Sequence, residues 1–248
     1  MKKIIEKIKK IPLFPFYLKK SYFTDFYAAY LPDSYKDINN KSTFLKLYKM
    51  FTNKNRFNNT GDIPRLLLLM QNIQNLIDEG IYGDFAELGV WRGNTAAILA
   101  YYARELNKTV FLFDTFNGFD ENDLKGIDSN KEKEFTNTSV QVVKNTIGKN
   151  CDNCKFIIGH FPDSLKNINI DNNKFMVVSL DCDLYEPMKA GLEYFYPKML
   201  SGGILFIHDY SSLLWSGTKL AVDEFRDKYN LKIILMPDKS GTIIIRKI

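Results

Sequence analysis

Three features of the chain predict an α/β fold with a mostly parallel sheet, helices on both faces and an antiparallel last strand. From Gly83 onward, short apolar runs alternate with amphipathic helical stretches. The first run leads into DFAELGVWRGNT (84–95), with glycines at 89 and 93 and a helical pattern behind them; this is how a strand, a close ligand approach and a helix N-terminus are joined. The last two runs are separated only by Pro237-Asp238-Lys239-Ser240-Gly241. That is too short for a crossover, so they form a hairpin and the final strand runs against the others.

With 248 residues, 45% hydrophobic and 25% charged, the chain has room for one such domain plus an appendage, and its composition excludes a disordered chain. The formal charge of +5 is unevenly placed: residues 1–20 carry +6 and the rest sum to −1. A nucleic-acid partner is therefore not expected, since such a face spreads basic residues over the fold. Three cysteines and no cleavable signal fit a reducing, cytoplasmic setting. Cys151 and Cys154 form a lone CxxC, read as two free thiols rather than a zinc site. No apolar run reaches the ~18–20 residues of a membrane span.

Residues 1–20 place Ile4, Ile5, Ile8 and Ile11 at helical spacing among lysines and break at Pro12 and Pro15. Such a basic amphipathic segment packs on its own body or on a second subunit of a homodimer; the other reading is peripheral contact with an anionic membrane. Residues 21–80 read as a helical cap, aromatic-rich at first. They end in a helix of about four turns, with Asp62 as its N-cap, Pro64 in its first turn and Gly80 as its stop. The catalytic-type domain is residues 81–248. Its strands are expected at DFAEL, TVFLFD, KFIIGH, FMVVSLD, GILFIHD, LKIILM and TIIIRK, with helices at 95–106, 134–147, 187–200 and 217–229. The polar stretch 118–134 is long for a strand-to-helix loop and reads as a lid or as a plain surface loop.

In open α/β sheets ligands sit outside the carboxyl ends of the strands. Those ends carry Glu87, then Asp114, then Gly159-His160-Phe161, then Asp181 and Asp183, then His208 and Asp209. The first turn lacks G-x-G, and Glu87 would repel a phosphate and welcome an ammonium. Asp114 suits a ribose diol, or alternatively caps the next turn. Phe116 and Phe161 flank a nucleobase or pack in the core. Neighbouring strand ends are ~5 Å apart, so Asp181, His208 and Asp209 converge, which suits general-base work or a metal ion.

Taken together, GDFAELGVWRGNTA, FLFDTFNGF, FPDSL, LDCDLYEPMKAGLEYFYPKMLSGGILFIHDY and AVDEF resemble the macrocin O-methyltransferase (TylF/NovP-like) family of class I S-adenosylmethionine-dependent methyltransferases. The resemblance runs from about residue 60 to the end. It implies a seven-stranded Rossmann-like sheet with an N-terminal helical cap, S-adenosyl-L-methionine as cofactor, and a hydroxyl of a sugar or glycosylated small molecule as acceptor. With the strand-end reading above, that cofactor is expected along Glu87, Gly89, Gly93 and Thr95 of the first turn, Asp114, Thr115 and Phe116 of the second, His160 and Phe161 of the third, and Asp181. The resemblance further implies a divalent metal on Asp181, His208 and Asp209, with Asp181 also serving as base.

The chain departs from the family at His208, which stands where an acidic ligand is expected. Mg²⁺ takes imidazole poorly, and a His with two carboxylates suits Mn²⁺, Fe²⁺ or Zn²⁺ better. The alternative is metal-free chemistry with His208 itself as base. Two rival functions remain at this level: a nicotinamide-dependent oxidoreductase on a similar sheet, and a non-catalytic membrane-associated scaffold.

Overall fold

The computed structural model describes residues 41–248; the basic segment 1–20, with the membrane or dimer contacts expected of it, and the aromatic stretch up to residue 40 lie outside the described residues. The described residues begin with three helices, α1 (Lys41–Thr52), α2 (Arg56–Asn59) and α3 (Ile63–Asp78). There follow β1 (Asp84–Leu88), α4 (Asn94–Glu105), β2 (Val110–Asp114), α5 (Val140–Ile147), β3 (Cys154–Ile158) and β4 (Phe175–Leu180). The chain continues with α6 (Tyr185–Phe195), β5 (Met199–Ile207), α7 (Ser216–Lys228), β6 (Ile234–Leu235) and β7 (Ile243–Arg246). No described helix is long and apolar enough to cross a membrane.

The seven strands form one sheet in the order β3-β2-β1-β4-β5-β7-β6. β1 to β5 pair in parallel, and β7 runs antiparallel to both β5 and β6, as the short connection after Met236 requires. Period-two alternation divides the strands between two cores. Phe85, Val110 and Leu112 face the side covered by α1, α3, α4 and α5, while Ala86, Leu88, Phe111 and Phe113 face α6 and α7. On α3, Leu66, Leu69, Ile73 and Leu76 recur at three- and four-residue spacing and are all buried. The described part of the cap thus shares the sheet's own core.

Several elements differ in extent from the sequence expectation. α5 begins only at Val140, where the Ser139 side chain accepts from Val142 N, so residues 115–139 form one long connection. β5 begins at Met199, because Tyr196-Pro-Lys198 makes a 3₁₀ turn that ends the preceding helix early. β6 keeps only two paired residues. Asp62 occupies the N-cap position of α3 without making a side-chain cap bond; its carboxylate turns instead to Arg65 Nε, 3.1 Å away.

The strand order reverses between β1 and β4, and the crevice that a doubly wound sheet opens at such a point lies at the carboxyl ends. Here those ends are held level by one backbone bond beyond each ladder. Gly89 N donates to Phe113 O (3.0 Å), Asp181 N to Leu88 O (2.9 Å), His208 N to Leu180 O (2.9 Å) and Gly159 N to Asp114 O (3.0 Å).

Candidate active site

A single cavity of about 450 Å³ runs along these ends, within the range of small-molecule sites. Of the residues expected to bind a ligand, Glu87, Gly89, Thr95, Asp114, Thr115, His160, Phe161, Asp181, His208 and Asp209 all line it. Gly93 and Phe116 are not among its lining residues. At Gly93 (φ +78°) a Cβ would lie 2.7 Å from Val143 Cγ1, so this glycine serves the packing of α4 on α5. Phe116 packs on Phe156. Phe161 reaches the cavity but is buried in an aromatic cluster with Phe113, Tyr194 and Phe195.

Gly89 has φ +85°, and a Cβ there would fall 2.1 Å from the Asp181 carbonyl oxygen. Only glycine lets the ends of β1 and β4 meet this closely, and that contact brings Glu87 and Asp181 into one cavity. Glu87 is 1% exposed, and its Oε2 has no hydrogen-bond partner. Burial, reinforced by Asp181 and Asp114, holds its pKa well above the usual carboxylate range. A cation arriving beside it would restore the anion and satisfy the stranded oxygen.

Asp114 is more heavily engaged than its position alone suggests. Its Oδ2 accepts from Val90 N (2.7 Å) and Trp91 N (2.8 Å), and its Oδ1 from Phe116 N (2.6 Å). The carboxylate therefore staples the β1–α4 turn to the β2 end while still lining the cavity. Of the two sequence alternatives the capping one is seen, and with three of about four lone-pair sites taken one acceptor site is left.

At the other end, Asp181, His208 and Asp209 each present one ligand atom, all within 4.8 Å of one another. His208 Nδ1 lies 2.8 Å from Asp181 Oδ1 and is also bonded to Asp209 Oδ2. Burial works against a charged imidazole, but Asp181 and Asp209 outweigh it and push the His208 pKa well up, with Arg65 opposing. On Asp181 burial is likewise outweighed, by His208 and Arg65, and its pKa is lowered. Arg65 Nη1 meets His208 Nε2. A guanidinium only donates, so Nε2 is the acceptor and the ring proton sits on Nδ1 between the carboxylates. The two carboxylates favour a proton on the ring, and the docked arginine opposes a second one.

Sequence reasoning missed Arg65. Its partner lies 143 residues away, and the only local signal is a lone charge in the first turn of the apolar run RLLLLM. Asp183, named with Asp181 at the β4 end but given no role, is buried at φ +61°. Burial and the neighbouring Asp209 and Asp181 hold its carboxyl well above the usual range.

The connection 115–139 roofs the cavity. Asp123 Oδ1 lies 3.0 Å from His160 Nε2, Asp128 Oδ2 accepts from Tyr185 N at 2.7 Å, and Phe119 and Phe135 pack on each other and on Trp215. The outer wall adds Asn55, Asn58, Trp91, Lys239 and Ser240. Away from this site Cys151 and Cys154 are free thiols, and burial pushes Cys154 up to about 12.

Comparison with known proteins identifies this arrangement, because residues 53–244 match the macrocin-O-methyltransferase (TylF) family. The chain belongs to that family. It is 29% identical over 181 residues to demethyldecarbamoylnovobiocin O-methyltransferase of Streptomyces niveus, covering 68% of each chain. It is 27% identical over 181 residues to 8-demethyl-8-(2,3-dimethoxy-alpha-L-rhamnosyl)-tetracenomycin-C 4'-O-methyltransferase of Streptomyces olivaceus, covering 68% of this chain and 67% of the relative. Among solved structures, that of the O-methyltransferase NovP superposes with a TM-score of 0.64 at 27% identity, over 75% of this chain and 80% of NovP. This TylF-family chain is therefore a methyltransferase with the seven-stranded fold that the sequence predicts.

Proposed function

We propose that this protein is an S-adenosylmethionine-dependent O-methyltransferase that methylates a hydroxyl of a sugar or glycosylated small molecule. The observation that carries the reading is a single cavity with two differently equipped ends. A stranded Glu87 oxygen belongs to its β3-β2-β1 side, and the Asp181–His208–Asp209 cluster to its β4-β5 side.

The first end fits S-adenosylmethionine. Glu87 Oε2 receives the ammonium, and Asp114, with the turn it staples, holds the ribose side. His160, fixed by Asp123, closes the base edge. When bound, the cofactor supplies a sulfonium methyl group open to attack by a nucleophile. The protein's part is to hold the acceptor oxygen in line with that methyl, which is worth ~7–11 kcal/mol when alignment is good. Asp181, whose side chain keeps 28% of its exposure, accepts the hydrogen bond of the acceptor hydroxyl and takes its proton. His208 and Asp209 behind it share the changing charge. The roof formed by residues 115–139 excludes water.

Sugars suit the outer wall. Asn58 offers an amide to hydroxyls, while Trp91, Phe135 and Trp215 add aromatic surface for the C–H side of a ring. One relative is named for a rhamnosyl-bearing substrate, which supports the same class. A nicotinamide cofactor is disfavoured, because Glu87 stands where a pyrophosphate would lie and the turn lacks G-x-G. Incubation with methyl-labelled S-adenosylmethionine and a panel of glycosides and nucleotide sugars tests the reading. Label is expected in an alkali-stable ether on a sugar hydroxyl; label only on nitrogen or carboxyl groups would refute it.

A further inference from the structure

The acidic cluster already has a resident cation. Arg65 enters it from the first turn of α3 and is held on every side. Nε lies 3.1 Å from Asp62 Oδ2, Nη2 donates to Asn59 Oδ1 at 2.6 Å, the guanidinium lies 4.9 Å from the centre of the Phe51 ring, and Nη1 meets His208 Nε2. Asp62 and Asn59 are themselves buried, so this is a built seat and not a surface side chain resting by chance.

We propose that Arg65 takes the place of the divalent ion expected at Asp181, His208 and Asp209, and that a docked Arg65 and a bound metal exclude each other. The proposal rests on the reading of this cluster as the acceptor end of a methyltransferase. A histidine ligates through a lone pair. If Nδ1 gave its lone pair to a metal, the ring proton would sit on Nε2, facing the Arg65 N–H donor to donor with no acceptor between them. If Nε2 were the ligand, the ion would need the space that Nη1 occupies. Without the imidazole only Asp181 and Asp209 remain, each with one oxygen already turned to Nδ1.

Charge leads to the same conclusion. The guanidinium is permanently ionised and balances part of the charge on the two carboxylates; a divalent ion beside it would meet like charge. Arg65 lines the cavity and thus supplies positive charge near the acceptor oxygen, a fixed equivalent of the electrostatic part of a metal's role.

The full-length protein, titrated with Mn²⁺ alone and followed by electron paramagnetic resonance, tests this without an acceptor. Wild type is expected to leave the free-ion spectrum undiminished. Arg65→Met paired with Asp62→Asn, so that no buried carboxylate is stranded, is expected to bind one Mn²⁺, tighter than wild type by on the order of a hundredfold or more, and to lose it on Asp181→Asn. Arg65→Met alone serves as a second variant. Stoichiometric binding by wild type that Asp181→Asn abolishes would overturn the proposal. Absence of binding by every variant would equally overturn it, because Arg65 would then be excluding nothing. Calorimetry of the same preparations with S-adenosylhomocysteine reports separately on folding and on the methyltransferase reading: failure to bind it counts against that function and leaves the Mn²⁺ comparison to judge Arg65.

Discussion

Asp181→Asn is expected to lower kcat by about 10²–10⁴-fold, the usual worth of a positioned base, while leaving S-adenosylhomocysteine affinity nearly unchanged. The asparagine keeps the shape and one acceptor oxygen for His208 Nδ1, so the cluster survives, but it cannot take a proton from the acceptor. Asp181 is held below the ordinary carboxylate range by His208 and Arg65 against the effect of burial. It is thus an anion at neutral pH and a weak base in its own right. Its effect comes from standing, ionised, at the place where the hydroxyl proton must go, with His208 and Asp209 to redistribute charge as the proton arrives. A kcat within threefold of wild type, measured with any acceptor that accepts label, would move the base elsewhere.

Asp114→Ala is expected to weaken S-adenosylhomocysteine binding by on the order of a hundredfold and to lower thermal stability as well. The substitution strands Val90 N, Trp91 N and Phe116 N, which now donate to the carboxylate, and each unpaired buried donor costs about 1–3 kcal/mol. Asp114→Asn separates the staple from the ligand role. Its single carbonyl oxygen can serve Val90 and Trp91, so much of the stability should return. Its amide nitrogen points a donor where Phe116 N and the ribose hydroxyls also donate, so affinity should recover less. Full affinity in Asp114→Ala would remove Asp114 from the cofactor site.

The parts of the molecule legible in the sequence are those where local pattern and position coincide. Each parallel strand is an apolar run with a polar group at its carboxyl end, so Glu87, Asp114, Asp181 and His208 could be placed before any contact was known. The hairpin of β6 and β7 followed from five intervening residues. What stayed hidden depends on partners far along the chain. Asp62 reads as a helix cap because a carboxylate before Ile63-Pro64 suits one, yet it makes no cap bond and pairs by charge with Arg65. Arg65 itself gave no hint of meeting His208. Phe116 and Phe161 have the composition of base-flanking residues, but an aromatic ring satisfies a core equally well, and both pack against other phenylalanines. The sequence places the start of α5 too early because 134–139 lacks Gly and Pro, while the loop it belongs to is fixed by distant anchors, Asp123 to His160 and Asp128 to Tyr185 N.

In the proposed methyltransferase the β1 and β2 ends form a seat for an amino-acid-bearing nucleoside, with Glu87 facing an ammonium rather than a phosphate. Calorimetric titration of the wild-type chain with S-adenosylmethionine and, separately, with NAD tests it most directly. One site per chain of micromolar affinity for S-adenosylmethionine, weakened in Glu87→Gln, and no heat with NAD is the predicted result. Binding of NAD with none of S-adenosylmethionine would contradict the account.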